Sequence, residues 1–201
     1  MSDFITFIQL GFRHITDLEA MDHILFLLAL AAIYRPRDWR KAMWVVTAFT
    51  IGHSVTLGLA VTGAVRLPTK LIEFLIPVTI VATCIENMIV RDRDRAFWGG
   101  KYRPVFAGVF GLVHGAGFAN YLRDLFGDHI AVPLLGFNIG IEIGQIAVLT
   151  VAAIVLLTAD RLIAKLRESL GPEAVLRMRV LAVSFVVMIV AARWAIERNP
   201  W

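Results

Sequence analysis

Six predominantly apolar stretches, each bounded by charged residues, dominate the chain: 18–34, 42–62, 71–90, 105–122, 131–159 and 175–196. Such runs are what α-helices need to cross a hydrocarbon layer about 30 Å thick, at a rise of about 1.5 Å per residue. Composition agrees. Of the 201 residues 58% are hydrophobic and 18% charged, against about 45–50% and about 25% in soluble domains. The expected fold class is all-α, a polytopic membrane helical bundle with six transmembrane helices in one integral membrane domain over residues 1–201. A soluble enzyme, a disordered chain and a nucleic-acid binder are excluded. The net charge of +4 then describes loops facing an anionic lipid bilayer. Cys84 is the single cysteine, which leaves any metal chemistry to His, Asp and Glu.

Lys and Arg set the expected orientation. The segments after the first, third and fifth stretches hold fourteen of the 20 basic residues, so the positive-inside rule puts both termini outside the cytoplasm. The expected location is the bacterial inner (cytoplasmic) membrane. Residues 1–16 carry Asp3 and no basic n-region, unlike a cleaved signal peptide. Their Phe4, Phe7, Ile8 and Phe12 recur at helical spacing, which predicts an interfacial helix lying on the membrane. Thr16-Asp17-Leu18-Glu19 matches a capping box and predicts that the first span begins there. Spans 1–5 fill 17–159. Beyond them, 160–179 alternates apolar and basic residues as a surface segment would, and the last span reads as a packing helix.

A charged side chain at mid-bilayer costs about 2.5–3.5 kcal/mol on insertion scales, so each one inside a span asks for a reason. Span 1 holds Asp22 and His23, span 2 holds Thr50, His53 and Ser54, and span 3 holds Glu86 and Asn87. His114 lies in span 4, and Asn138, Glu142 and Gln145 in span 5. Counted from the outer ends, Asp22, His23, His53, His114, Asn138 and Glu142 fall about 6–16 Å deep, whereas Glu86 lies about 22 Å down. Three imidazoles and two carboxylates are thus expected in one layer. Imidazole with carboxylate and no thiolate suits a divalent transition metal such as nickel, cobalt or zinc. Asp22, His23, His53, His114 and Glu142 are the candidate ligands, and Thr50, Ser54, Asn138 and Gln145 the candidates for orienting them. Glu86 and Asn87 form a second polar step toward the cytoplasm. Gly136, Gly140 and Gly144, with Gly111 and Gly115, would let helices approach closely. Singly, each histidine could be interhelical glue, and the group could equally be a proton relay. His129, beside Asp128, reads as part of a solvated outer loop.

Four segments resemble one family, HupE/UreJ, of membrane proteins associated with hydrogenase and urease maturation. They are Gly11-Phe12-Arg13-His14-Ile15 with Met21-Asp22-His23-Ile24-Leu25-Phe26, Phe49-Thr50-Ile51-Gly52-His53-Ser54, Phe110-Gly111-Leu112-Val113-His114-Gly115, and Phe137-Asn138-Ile139-Gly140-Ile141-Glu142-Ile143-Gly144-Gln145. The resemblance implies six or seven helices, movement of nickel or cobalt, and metal contacts at Asp22, His23, His53, His114 and Glu142. His14 is a further candidate. Nine residues separate it from His23, opposite faces if one helix held both, so it is expected in a non-helical segment folded over the site.

Two functions fit these residues. One is a nickel/cobalt-type permease, with the bilayer, the metal ion and a metalloenzyme-maturation partner or a second copy as its associates. The other is an intramembrane zinc-type hydrolase with Asp22 or Glu142 as general base, acting on a lipid or membrane-embedded substrate.

Overall fold

The computed structural model describes residues 2–18, 21–65, 68–90, 102–118, 130–167 and 169–201. Among these there are seven α-helices and no strand: α1 (Ser2–Thr16), α2 (Asp22–Ile33), α3 (Trp39–Val61), α4 (Thr69–Ile89), α5 (Tyr102–Gly117), α6 (Ala131–Leu166) and α7 (Pro172–Glu197). A 3-10 turn, Pro36–Asp38, leads into α3. Helices α4, α6 and α7, and α3 with its leading turn, are long and apolar enough to cross a membrane. Residues 91–101 and 119–129, including His129 and Asp128, lie outside the described residues, as do the last residues of the span expected at 105–122.

Two helix pairs interlock backbone to backbone. Along α1 and α6, Gly136 faces Phe4, Gly140 faces Ile8 and Phe12, and Gly144 faces Phe12 and Ile15, so the two helices run in the same direction. A Cβ on Gly11 would overlap the Phe137 carbonyl, and one on Gly140 the Ile8 carbonyl. Along α3 and α5 the same register recurs. Gly52 meets the Gly108 carbonyl and Leu112, and Gly111 meets the Phe49 carbonyl and His53. Only a residue without Cβ permits such approach, which lets packing and weak Cα–H···O contacts replace a hydrophobic driving force that lipid does not supply. The pairs run oppositely to each other: Gly58 lies by Leu134, His53 by Phe137, and the earlier Thr50 bonds the later Gln145.

The segment expected to lie on the membrane surface is therefore packed inside the bundle, with Phe7 and Ile15 buried. Farther along α6, Leu28 and Ala31 of α2 pack with Leu149, Ala152 and Leu156. Helices α1 and α2 thus follow one another along α6, and the chain breaks between Thr16 and Asp22. Thr16, expected as the N-cap of the first span, instead ends α1. The Thr16 hydroxyl donates to the Phe12 carbonyl and closes α1, and Met21 precedes α2 without a side-chain cap. Glu19 lies outside the described residues.

The surface segment expected at 160–179 is likewise replaced by the ends of α6 and α7. Arg179, buried at its guanidinium, joins three helices: Nε donates to the Ala32 carbonyl at 3.0 Å, Nη2 to that of Tyr34 at 2.9 Å and Nη1 to Asp160 at 2.6 Å. It thereby satisfies carbonyls that the end of α2 leaves open. Arg179→Met should lower stability by about 3–5 kcal/mol, the usual cost of breaking a buried pair from one side. A detergent unfolding curve checks this, with the exposed Arg161→Met as the variant that should not move.

Candidate metal centre

Four imidazoles meet where the two helix pairs and the α1–α2 break come together. His14 stands on the last turn of α1, His23 on the first turn of α2, His53 in the middle of α3 and His114 near the end of α5. One ring nitrogen from each of His14, His23 and His53 comes within 4.8 Å of the others. The His114 ring centroid lies 5.2 Å from that of His23. Exposure is 0% for His53, 2% for His114 and 7% for His23, so these rings are withdrawn from the bulk solvent.

Aromatic rings wall the cluster. Phe118 lies 4.1 Å from His14 and stacks on Phe137, which in turn stacks on His53. Phe49 stands edge-on to His114 at 5.1 Å and to His23 at 6.1 Å. Such walls hold the imidazoles in fixed orientations and keep their surroundings apolar.

The unbonded nitrogens identify what the cluster can hold. His14 Nε2, both ring nitrogens of His23 and of His53, and His114 Nδ1 are buried without a hydrogen-bond partner. Native interiors satisfy nearly all such atoms, and each exception costs about 1–3 kcal/mol. Converging neutral imidazoles with free lone pairs are a nitrogen donor set suited to a borderline transition-metal ion. Thr79 fixes the role of His114. Its hydroxyl donates to the Ile76 carbonyl at 2.7 Å, so its oxygen accepts from His114 Nε2 at 3.1 Å and leaves the lone pair on Nδ1.

The carboxylates each have a partner of their own. Asp22 faces Arg198 at 3.2 Å, and Glu142 accepts the Thr47 hydroxyl at 2.6 Å. A carboxylate in lipid takes the nearest donor: Glu142 found one on α3, and Asp22 one just past the end of α7. Thr50 donates to Gln145 at 2.8 Å, Ser54 donates to the Thr50 carbonyl, and Asn138 keeps a buried, unbonded Oδ1. Asn87 is tied to the Ala29 carbonyl and to Ser184, joining α4 to α2 and α7. Glu86 sits apart, bonded by Tyr102 and Arg103 at the start of α5. His14, expected off the helix, is helical. Thr79 as the partner of His114 was not singled out, although its polar side chain within an apolar span was the available signal.

These features define a helical membrane protein with a buried imidazole cluster between oppositely directed helix pairs. The chain belongs to the HupE/UreJ family: the family model described as HupE / UreJ protein matches residues 1–198. No curated protein and no solved structure matches the chain.

Proposed function

We propose that this chain is a permease for a divalent transition-metal ion of the nickel/cobalt type, with His14, His23 and His53 as its binding site. The observation that carries this reading is three imidazoles with nitrogens within 4.8 Å of one another, five of whose ring nitrogens are buried and unbonded. The arrangement around them supports movement. His14 belongs to one interlocked pair and His53 to the other, so the site lies between two units of opposite direction, as in transporters with midplane sites. A helix break beside the site adds backbone groups that lipid alone would not tolerate.

Helix directions support six crossings, the first made by α1 and α2 in succession, with both termini outside the cytoplasm of a bacterial inner membrane. His114 contributes Nδ1 as the ion moves inward. Asp22, next to His23 in the chain and held by Arg198, and Glu142, held by Thr47, would neutralise its charge once released. Supply of the ion to maturation of a metalloenzyme is the corresponding role. The alternative, a zinc-type hydrolase, would draw its base from the same two carboxylates, which Arg198 and Thr47 hold in this arrangement.

Proteoliposomes containing the protein should take up Ni²⁺ or Co²⁺ saturably, and His23→Ala should abolish that uptake. Tightly held, chelator-resistant metal without any flux would overturn the permease in favour of a fixed catalytic site. Thr79→Val should weaken metal binding by about 10–100-fold, the usual effect of losing a ligand's orienting partner, as read by equilibrium dialysis.

A further inference from the structure

One opening into the bundle is turned toward lipid. A half-open pocket of about 110 Å³ lies among α2, α3, α4 and α5. Of its lining residues, Ala82 on α4 and Phe106 on α5 are exposed, as are Ile85, Val105 and Val109 beside them. The mouth therefore lies on the α4–α5 seam, on a surface that a membrane-spanning bundle gives to acyl chains. Inside, the wall is almost entirely apolar, with Phe26, Leu30 and Phe110 among its side chains. A wall of this kind does not hold water.

The pocket has one polar end, formed by Glu86 near the end of α4 and by Tyr102 and Arg103 at the start of α5. Phe110 is seven residues beyond Arg103, so the apolar part reaches roughly 10 Å in from that end. Arg103 Nη2 donates to Glu86 Oε1 at 2.6 Å, and the Tyr102 hydroxyl donates to the same oxygen. This pairing cancels the one carboxylate in the lining. It leaves Arg103 Nη1 buried without a partner, on a side chain only 10% exposed. Native interiors bond nearly all such donors, so this one calls for an acceptor from outside the chain. Arg177 adds charge beside the same end of α4. It donates to the Asn87 carbonyl at 3.4 Å and to that of Met88 at 2.5 Å, and meets no carboxylate among the described residues. The polar end is thus net positive.

We propose that the pocket binds one anionic phospholipid of the cytoplasmic leaflet, with its phosphate on Arg103 and one acyl chain along Leu30, Phe106 and Phe110. Lipid tails are as apolar as the pocket, so a chain gains little by entering and the headgroup decides the choice. A guanidinium suits phosphate, and basic pockets between helices on the cytoplasmic side take anionic headgroups. Bound there, the lipid joins α2, α4 and α5, and α5 carries His114. The inference takes its side of the membrane from the orientation proposed above and does not depend on transport.

The test uses full-length protein in mild detergent, with phosphatidylglycerol or phosphatidylethanolamine of identical chains, and native mass spectrometry to count retained lipid. One phosphatidylglycerol per chain should be held about tenfold better, the worth of one hydrogen bond to a charged group. Arg103→Gln should remove that preference. Glu86→Gln, which frees the guanidinium from its carboxylate, should strengthen retention, a gain that a misfolded variant does not show. Ala82→Phe at the mouth should reduce retention, and Val109→Phe on the adjoining lipid face should not. A phosphatidylglycerol with a diazirine in its acyl chain should label α2 and α5. Each variant is first matched to its parent by thermal midpoint. Equal retention of the two lipids, a preference that survives Arg103→Gln, or weaker retention in Glu86→Gln overturns the headgroup site. Retention untouched by Ala82→Phe, or labelling confined to α6 and α7, overturns the pocket. Palmitate that displaces phosphatidylglycerol one for one overturns the phospholipid in favour of a free fatty acid. Dialysis against Ni²⁺ on the same samples keeps the readings apart. Histidine-dependent binding without lipid preference removes only this inference, whereas absent histidine-dependent binding removes the permease and leaves the lipid site standing.

Discussion

His53→Ala should reduce affinity for Ni²⁺ or Co²⁺ by at least about a hundredfold, since even a residue that only orients a ligand is worth about 10–100-fold. His53 is fully buried, its ring lies 5.9 Å from His14 and 6.0 Å from His23, and neither of its nitrogens has another partner. The same change should leave the metal-free protein as stable as before, and His53→Leu should make it more stable. An apolar side chain of similar size removes two unsatisfied buried atoms, which cost about 1–3 kcal/mol each. A structural histidine would behave the other way. Equilibrium dialysis and a metal-free thermal melt on one preparation therefore separate the roles, and unchanged affinity would end the metal reading. Asp22→Asn should cost far less affinity in the metal-loaded ground state, because Arg198 already holds that carboxylate.

A large stability loss is also expected at the interlocked glycines. Gly11→Val and Gly52→Val each place atoms inside a neighbouring backbone carbonyl. Overpacking a flexible core costs about 1–3 kcal/mol, and a backbone obstacle cannot rotate away, so these variants should reach or exceed that range. Gly171, with open space around its Cβ position, should accept alanine within about 0.5 kcal/mol. Thermal midpoints in detergent give the comparison. Gly11 carries particular weight: a helix resting on the membrane surface would tolerate valine there, and one locked against α6 would not.

Much of the fold was legible. The stretches at 42–62, 71–90 and 175–196 agree closely with α3, α4 and α7, because length and hydropathy decide helices that must cross lipid. The histidines were legible too, since His23, His53 and His114 are expensive in an apolar span and depth arithmetic brought them to one level. What sequence could not supply was partnership. Phe4, Phe7, Ile8 and Phe12 look the same whether they face lipid headgroups or the glycines of α6, more than a hundred residues away. The glycines at 136, 140 and 144 announced a close approach without naming the partner. The partners of the carboxylates were hidden for a related reason: depth was readable, but Arg198, Thr47 and Arg103, which hold Asp22, Glu142 and Glu86, are not their neighbours in sequence.

The break between α1 and α2 also dictates an order of events during synthesis. Helix α2, twelve residues long, is too short to be held across a bilayer by itself, and α1 has no interlocking partner until Gly136, Gly140 and Gly144 leave the ribosome. At about 5–20 residues per second, that is a wait on the order of ten seconds. His14 is thus translated first among the four imidazoles and is the last to be seated, with α6 as its bearing. A nascent chain stalled before α6 has all four imidazoles translated, but His14 still lacks Phe137, the α6 ring it packs against, so the cluster is not yet closed.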